Sequence, residues 1–97
     1  AIAILFATRK FLFMTFDESE KIIFRSSQKV KYINRLIHVH IPYENDETLL
    51  DVLLKKMKDD EIEIGVGACT YFSDFGLRIV KITDGKITRI EVIRSIQ

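Results

Sequence analysis

The stretch LRIVKITDGKITRIEVI, residues 77–93, decides the fold. Two runs rich in β-branched residues, 77–83 and 86–93, flank Asp84-Gly85. An Asp-Gly pair favours the positive φ angles of a two-residue hairpin turn, and the flanking runs supply its strands. Working toward the N-terminus, Ser73-Asp74-Phe75-Gly76 reads as a turn, with Gly76 available for positive φ. Before it, Ile62, Ile64, Val66 and Ala68 alternate with Glu61, Glu63, Gly65 and Gly67, which predicts a half-buried strand reaching Phe72. The C-terminal third is therefore predicted to be a three-strand meander.

Further upstream the period changes. The apolar set Leu49, Leu50, Val52, Leu53, Leu54 and Met57 predicts a helix over about 46–58, with Asn45 as its N-cap. Acids (Glu44, Asp46, Glu47) crowd its start and lysines (Lys55, Lys56, Lys58) its end, complementing the helix dipole. Asp51 and Lys55 form an i,i+4 pair on its polar side. The stripe is wider than one sheet face needs, which suggests burial by a second subunit. LIHVHI (36–41) reads as a strand ended by Pro42, with Ile37, Val39 and Ile41 on one face. Residues 27–35 fit either a strand or a short helix capped by Ser27, with Val30, Ile33 and Ile37 on one side, and the helix is favoured. At the N-terminus, AIAILFA (1–7) suits a buried strand, and FLFMTF (11–16) and KIIF (21–24) suit a hairpin around Asp17–Glu20. The prediction is an α+β fold: a mainly antiparallel sheet of about six or seven short strands on one main helix, with a second short helix near 27–35.

Totals agree with one compact domain over 1–97. A chain this long buries about 60–70% of its unfolded surface, enough for one core. At 47% apolar and 30% charged residues, the composition excludes disorder. The first apolar run is far short of the ~20 residues of a bilayer span and lacks a basic leader, so neither signal peptide nor membrane anchor is expected. One cysteine, Cys69, excludes an intramolecular disulfide and fits a reducing, cytoplasmic setting. Fifteen isoleucines, plentiful Lys and Glu, and only two Gln resemble thermophile usage, which points weakly to an archaeal or viral source.

Net charge is only +1, but charge is segregated along the chain. Lys21 to Tyr43 holds five bases (Lys21, Arg25, Lys29, Lys31, Arg35) and no acid, whereas Glu44 to Glu63 holds eight acids and three lysines. In the basic stretch, Arg25, Lys29, Lys31 and Arg35 supply phosphate contacts and Tyr32 a base-stacking ring, which makes nucleic acid a candidate partner. The competing reading is an ordinary solvated face.

No catalytic signature is complete. His38 and His40, two apart on a strand, would project from one face and share a metal, with Glu44 or Asp46 just beyond as third ligand. That constellation would suit a metal-assisted nuclease or phosphoesterase. Gly65-Val66-Gly67 lacks the third glycine and the helix of a dinucleotide loop, and Asp74-Phe75-Gly76 lacks the rest of the kinase set. Cys69 has no basic neighbour in sequence to activate it. No cofactor is implied. Tyr71, Phe72 and Phe75 around one turn, with Leu50 and Leu54 on the helix, form a candidate contact surface for a homodimer or another protein. The expectation is a non-enzymatic, self-associating binding module, with the metal-dependent hydrolase as the alternative.

Overall fold

The computed structural model describes residues 19–95. In chain order they form β1 (Ser19–Arg25), α1 (Val30–Ile37), α2 (Leu49–Asp59), β2 (Cys69–Tyr71), β3 (Phe75–Thr83) and β4 (Lys86–Ser95). The strands make one antiparallel sheet in the order β1-β4-β3-β2. The α+β class holds, but among the described residues the sheet has four strands rather than six or seven, and two helices pack on it. The strands expected at 1–7 and 11–16 lie outside the described residues. KIIF is in β1, and its described partner is β4.

The expected strand at 36–41 is absent. Leu36 and Ile37 finish α1, and His38 caps it in the left-handed region (φ 58°, ψ 47°). Helix and strand periods coincide at Ile37, and the helical set Val30, Ile33 and Ile37 is buried. The chain beyond His38 joins no ladder among the described residues. Instead Asn34 serves it from α1: the side-chain amide donates to the Ile41 carbonyl at 3.0 Å, and its oxygen accepts the Ile41 N–H at 2.9 Å. One side chain thus satisfies both backbone groups that a neighbouring strand would otherwise pair.

The long strand expected over 61–72 contracts to Cys69–Tyr71. Glu61 has φ 56°, and Ile64 and Val66 point into solvent. Gly67 adopts φ 91° in a turn in which the Ala68 N–H donates to the Gly65 carbonyl, so Gly65-Val66-Gly67 ends the alternation rather than continuing it. Gly76 is also corrected: it is a strand residue of β3, not a positive-φ turn position. The hairpin is as expected, with Asp84 (φ 54°) and Gly85 (φ 77°) both in the conformation of a type I′ turn.

Helix α2 starts later than the composition suggested. Its N-cap is Thr48, whose hydroxyl accepts the Asp51 N–H at 3.2 Å, while the Asp51 carboxylate accepts the Thr48 N–H at 3.0 Å. This is a capping box with Asp in place of Glu. Asn45 lies in the preceding turn, and Lys55 pairs with Glu47 rather than Asp51. Thr48→Ala removes one partner of the box and is expected to cost about 1 kcal/mol, measured as a fall in urea midpoint at unchanged slope.

The two helices cover one sheet face. Val30, Ile33, Leu49, Val52, Leu53 and Met57 meet Leu77, Ile79, Ile90 and Val92 in a common core. The helix starts are tied together by Val30 N–H to Glu47 carbonyl and Leu49 N–H to Gln28 carbonyl. Arg94 joins the α1 C-terminus to the sheet by donating to the Ile37 carbonyl and pairing with Glu20.

Candidate anion-binding sheet face

Strand registers sort the sheet into rows, and successive rows face opposite sides. Ile22–Val92–Leu77–Thr70 and Phe24–Ile90–Ile79 face the helices. The intervening rows face away: Lys21–Ile93–Gly76–Tyr71, Ile23–Glu91–Arg78–Cys69, and Arg25–Arg89–Lys81. No described helix lies over this second face.

Among the described residues it carries five cations and one acid. The acid, Glu91, is 6% exposed and accepts from Arg78 Nε at 2.9 Å. Lys21, Arg25, Lys81 and Arg89 have no carboxylate within 4 Å among the described residues. Arg25, Arg89 and Lys81 stand directly opposite one another on three adjacent strands, about 4.8 Å apart. A register shift between Ile79 and Ile82 brings Lys81 opposite Arg89. Like charges in direct cross-strand register destabilise a sheet, and an anion laid across them relieves the repulsion.

At the far side of this face Tyr71 folds over its register partner Gly76. A Cβ there would sit 2.8 Å from Tyr71 Cδ1, so glycine is what lets the ring lie against the sheet. The ring remains 63% exposed. A hydrogen bond with the Cys69 side chain, that group's charge and partial burial push the Tyr71 hydroxyl above its usual range, and the Arg78 charge opposes them. Cys69 stands opposite Arg78 in the register, two residues before Tyr71 on the same strand.

The nucleic-acid residues expected from the basic stretch divide between two places. Arg25, with Lys21, joins the sheet face. Lys29 and Lys31 both turn to Asp46, at 3.9 and 2.8 Å. The hydrogen bond from Lys31, then the charges of Lys29 and Lys31, hold the Asp46 carboxyl below its usual range. Tyr32 is half-exposed on α1, with Lys31 Nζ and Arg35 Cζ 5.5 and 6.0 Å from its ring centre. Arg78, Lys81 and Arg89 were not singled out from sequence.

The two histidines lose the shared strand face on which a metal site was argued, since His38 is a left-handed cap and His40 lies in a loop. Both are exposed, as is Glu44, and no group of three or more His, Cys, Asp or Glu residues suited to a metal occurs among the described residues. Of the contact residues, Phe75 is in the core and Phe72 stacks on it at 4.4 Å. Leu50 packs against the core, and Leu54 and Tyr71 are exposed. The chain's own core thus takes up most of the wide α2 stripe.

Carboxylates on the helix side share one trend. Asp46, Glu47 and Asp60 are all held below their usual range. For Glu47 the leading cause is the Glu44 N–H, then Lys55; for Asp60 it is the Thr70 hydroxyl, then Lys56. A depressed folded pKa stabilises above the unfolded value, near about 4, and that gain is lost as pH falls through the folded value. Thermal melts should therefore show these contributions intact at neutral pH and lost progressively below about pH 4, with Asp60→Asn shrinking the acid-dependent part.

No protein-family model matches the chain, and no curated protein matches it. Two solved structures share its fold. One is a functionally unknown conserved protein from Haemophilus influenzae Rd KW20, with TM-score 0.62 and 15% identity over 76% of this chain and 88% of that one. The other is a CorC_HlyC domain from Haemophilus ducreyi, with TM-score 0.57 and 14% identity over 80% of this chain and 100% of that one. No described helix is long and apolar enough to cross a membrane.

Proposed function

We propose that this chain is a non-enzymatic binding module, and that the sheet face turned away from the described helices holds a single-stranded nucleic acid. The observation that carries the reading is the cross-strand row Arg25–Arg89–Lys81, three cations in register without a carboxylate partner among the described residues. Lys21 extends the positive field, while Glu91, the one acid of the face among the described residues, is already paired with Arg78. The small net charge is no objection. The acids of 44–63 belong to α2 and its flanking loops, which lie with the opposite face, so the molecule is polarised rather than neutral.

The shape favours single strands. A flat sheet face does not enter the major groove as a helix does, whereas a cationic surface beside an exposed ring suits unpaired bases. Tyr71, lying on Gly76 with its outer face free, is the stacking platform.

Fluorescence anisotropy of a labelled single-stranded oligonucleotide across a salt series tests this. Saturable binding that weakens linearly in log salt is expected, and double-stranded DNA of equal length should bind more weakly. Absence of binding at low salt overturns the reading.

A further inference from the structure

The helix side of the molecule carries a cleft lined by three acids and two lysines. It has a volume of about 310 Å³ and opens between α2 and the segment that follows α1. Its apolar part is Pro42, Val52 and the rings of Tyr43 and Phe72. Both lysines on its wall are already engaged: Lys55 Nζ lies 3.1 Å from Glu47, and Lys56 Nζ lies 3.1 Å from Asp60. Two other lining carboxylates, Glu44 and Asp59, have no cation within 4 Å among the described residues. An anion entering this cleft would meet those carboxylates and would have to break existing ion pairs to reach either lysine. A cation would meet these two carboxylates and the half-exposed Tyr43 ring. The Phe72 ring is already engaged, stacked on Phe75 at 4.4 Å and with the Lys56 ammonium 5.3 Å from its centre.

We propose that this cleft binds an organic cation with a short apolar stem, an alkylguanidinium or alkylammonium group. The stem lies along Val52 and Pro42, and the charged head sits by the Glu44 and Asp59 carboxylates beside the Tyr43 ring. Exposed ion pairs and cation–π contacts are individually weak, so a free ligand binds in the millimolar range. The source of the cation is either a small molecule or an arginine or lysine side chain presented by a protein. This proposal stands apart from the sheet-face reading, because it uses other residues and a ligand of opposite sign.

The test is an NMR titration of the full chain, labelled with ¹⁵N, against butylguanidinium, with butylurea and butyl phosphate as the neutral and anionic probes. Saturable shifts at Tyr43, Lys55–Asp59 and Phe72 are expected with butylguanidinium alone, weakened about tenfold in Glu44→Gln/Asp59→Asn. Both positions are exposed, so the variant keeps its fold, and its spectrum away from the cleft shows this directly. Shifts of the same residues by butyl phosphate, equal binding of butylurea, or an unchanged affinity in the variant would overturn the proposal. Tighter binding of a blocked arginine peptide than of butylguanidinium supports a presented side chain as the source, and the reverse order supports a small molecule.

Discussion

Leu53→Ala is expected to lower the unfolding free energy by about 2–5 kcal/mol, the range for truncating a fully buried leucine. Leu53 is at 0% exposure and lies on the α2 surface that meets the sheet. The loss has two parts, the transfer of the removed methyl groups and the cavity they leave. A domain of this size holds roughly 5–15 kcal/mol in total, so the variant should show a much lower urea midpoint at unchanged slope. Leu54→Ala, one residue on, is the internal control. Leu54 is 38% exposed, and its truncation should cost well under half as much. Equal losses at the two positions would mean that the α2 face is assigned wrongly.

The variant Lys21→Gln/Arg25→Gln/Lys81→Gln/Arg89→Gln carries the largest expected effect on binding. On single strands each phosphate contact contributes about 0.7 to the slope of log affinity against log salt. Losing four contacts should flatten that slope by about 3 and weaken binding near 0.1 M salt by about 10²–10³-fold. The fold should survive, because all four side chains lie outside the helix-facing core and removing the Arg25–Arg89–Lys81 repulsion is neutral or stabilising. Lys29→Gln/Lys31→Gln/Arg35→Gln, on α1, should leave most of the affinity in place. Two of its three cations are already spent on Asp46.

The parts of the fold that depend on neighbours in sequence were the legible ones. Asp84-Gly85 needs only its own φ angles, and the hairpin followed. Val30, Ile33 and Ile37 mark α1 by helical spacing, and Val39 and Ile41 are buried as the alternation implied. The misread elements were those where two periods overlap or a distant group intervenes. Ile37 belongs to both a helical and an alternating pattern, and the Asn34 amide that replaces a strand partner for Ile41 leaves no periodic trace. At 61–72 the alternation was real, but Glu61 has a positive φ and the chain meets β3 only from Gly67, whose N–H donates to the Ile79 carbonyl at 2.8 Å while Gly67 itself turns at φ 91°. Thr48 and Asp51 were available as a capping box, and the denser acids near Asn45 obscured it.

The candidate site was legible only in part. Arg25 came from the basic stretch, but its companions Arg89 and Lys81 come from the last hairpin. Their alignment requires the pairing of β1 with β4, which brings together segments from the two ends of the described chain. It also requires the register shift near Lys81, which a regular Asp-Gly hairpin would not contain. The density of charge along the chain pointed instead at Lys29 and Lys31, whose partner Asp46 is brought to them by the packing of the α2 approach against α1.

The measurement that bears most directly on the central claim is chemical-shift mapping of the ¹⁵N-labelled chain with a short single-stranded oligonucleotide at low salt. Perturbations are expected on the sheet face turned away from the described helices, at Lys21, Arg25, Arg78, Lys81 and Arg89 of β1, β3 and β4, together with Tyr71 on β2. Perturbations confined to Lys29–Ile37, or none at all, would contradict that claim.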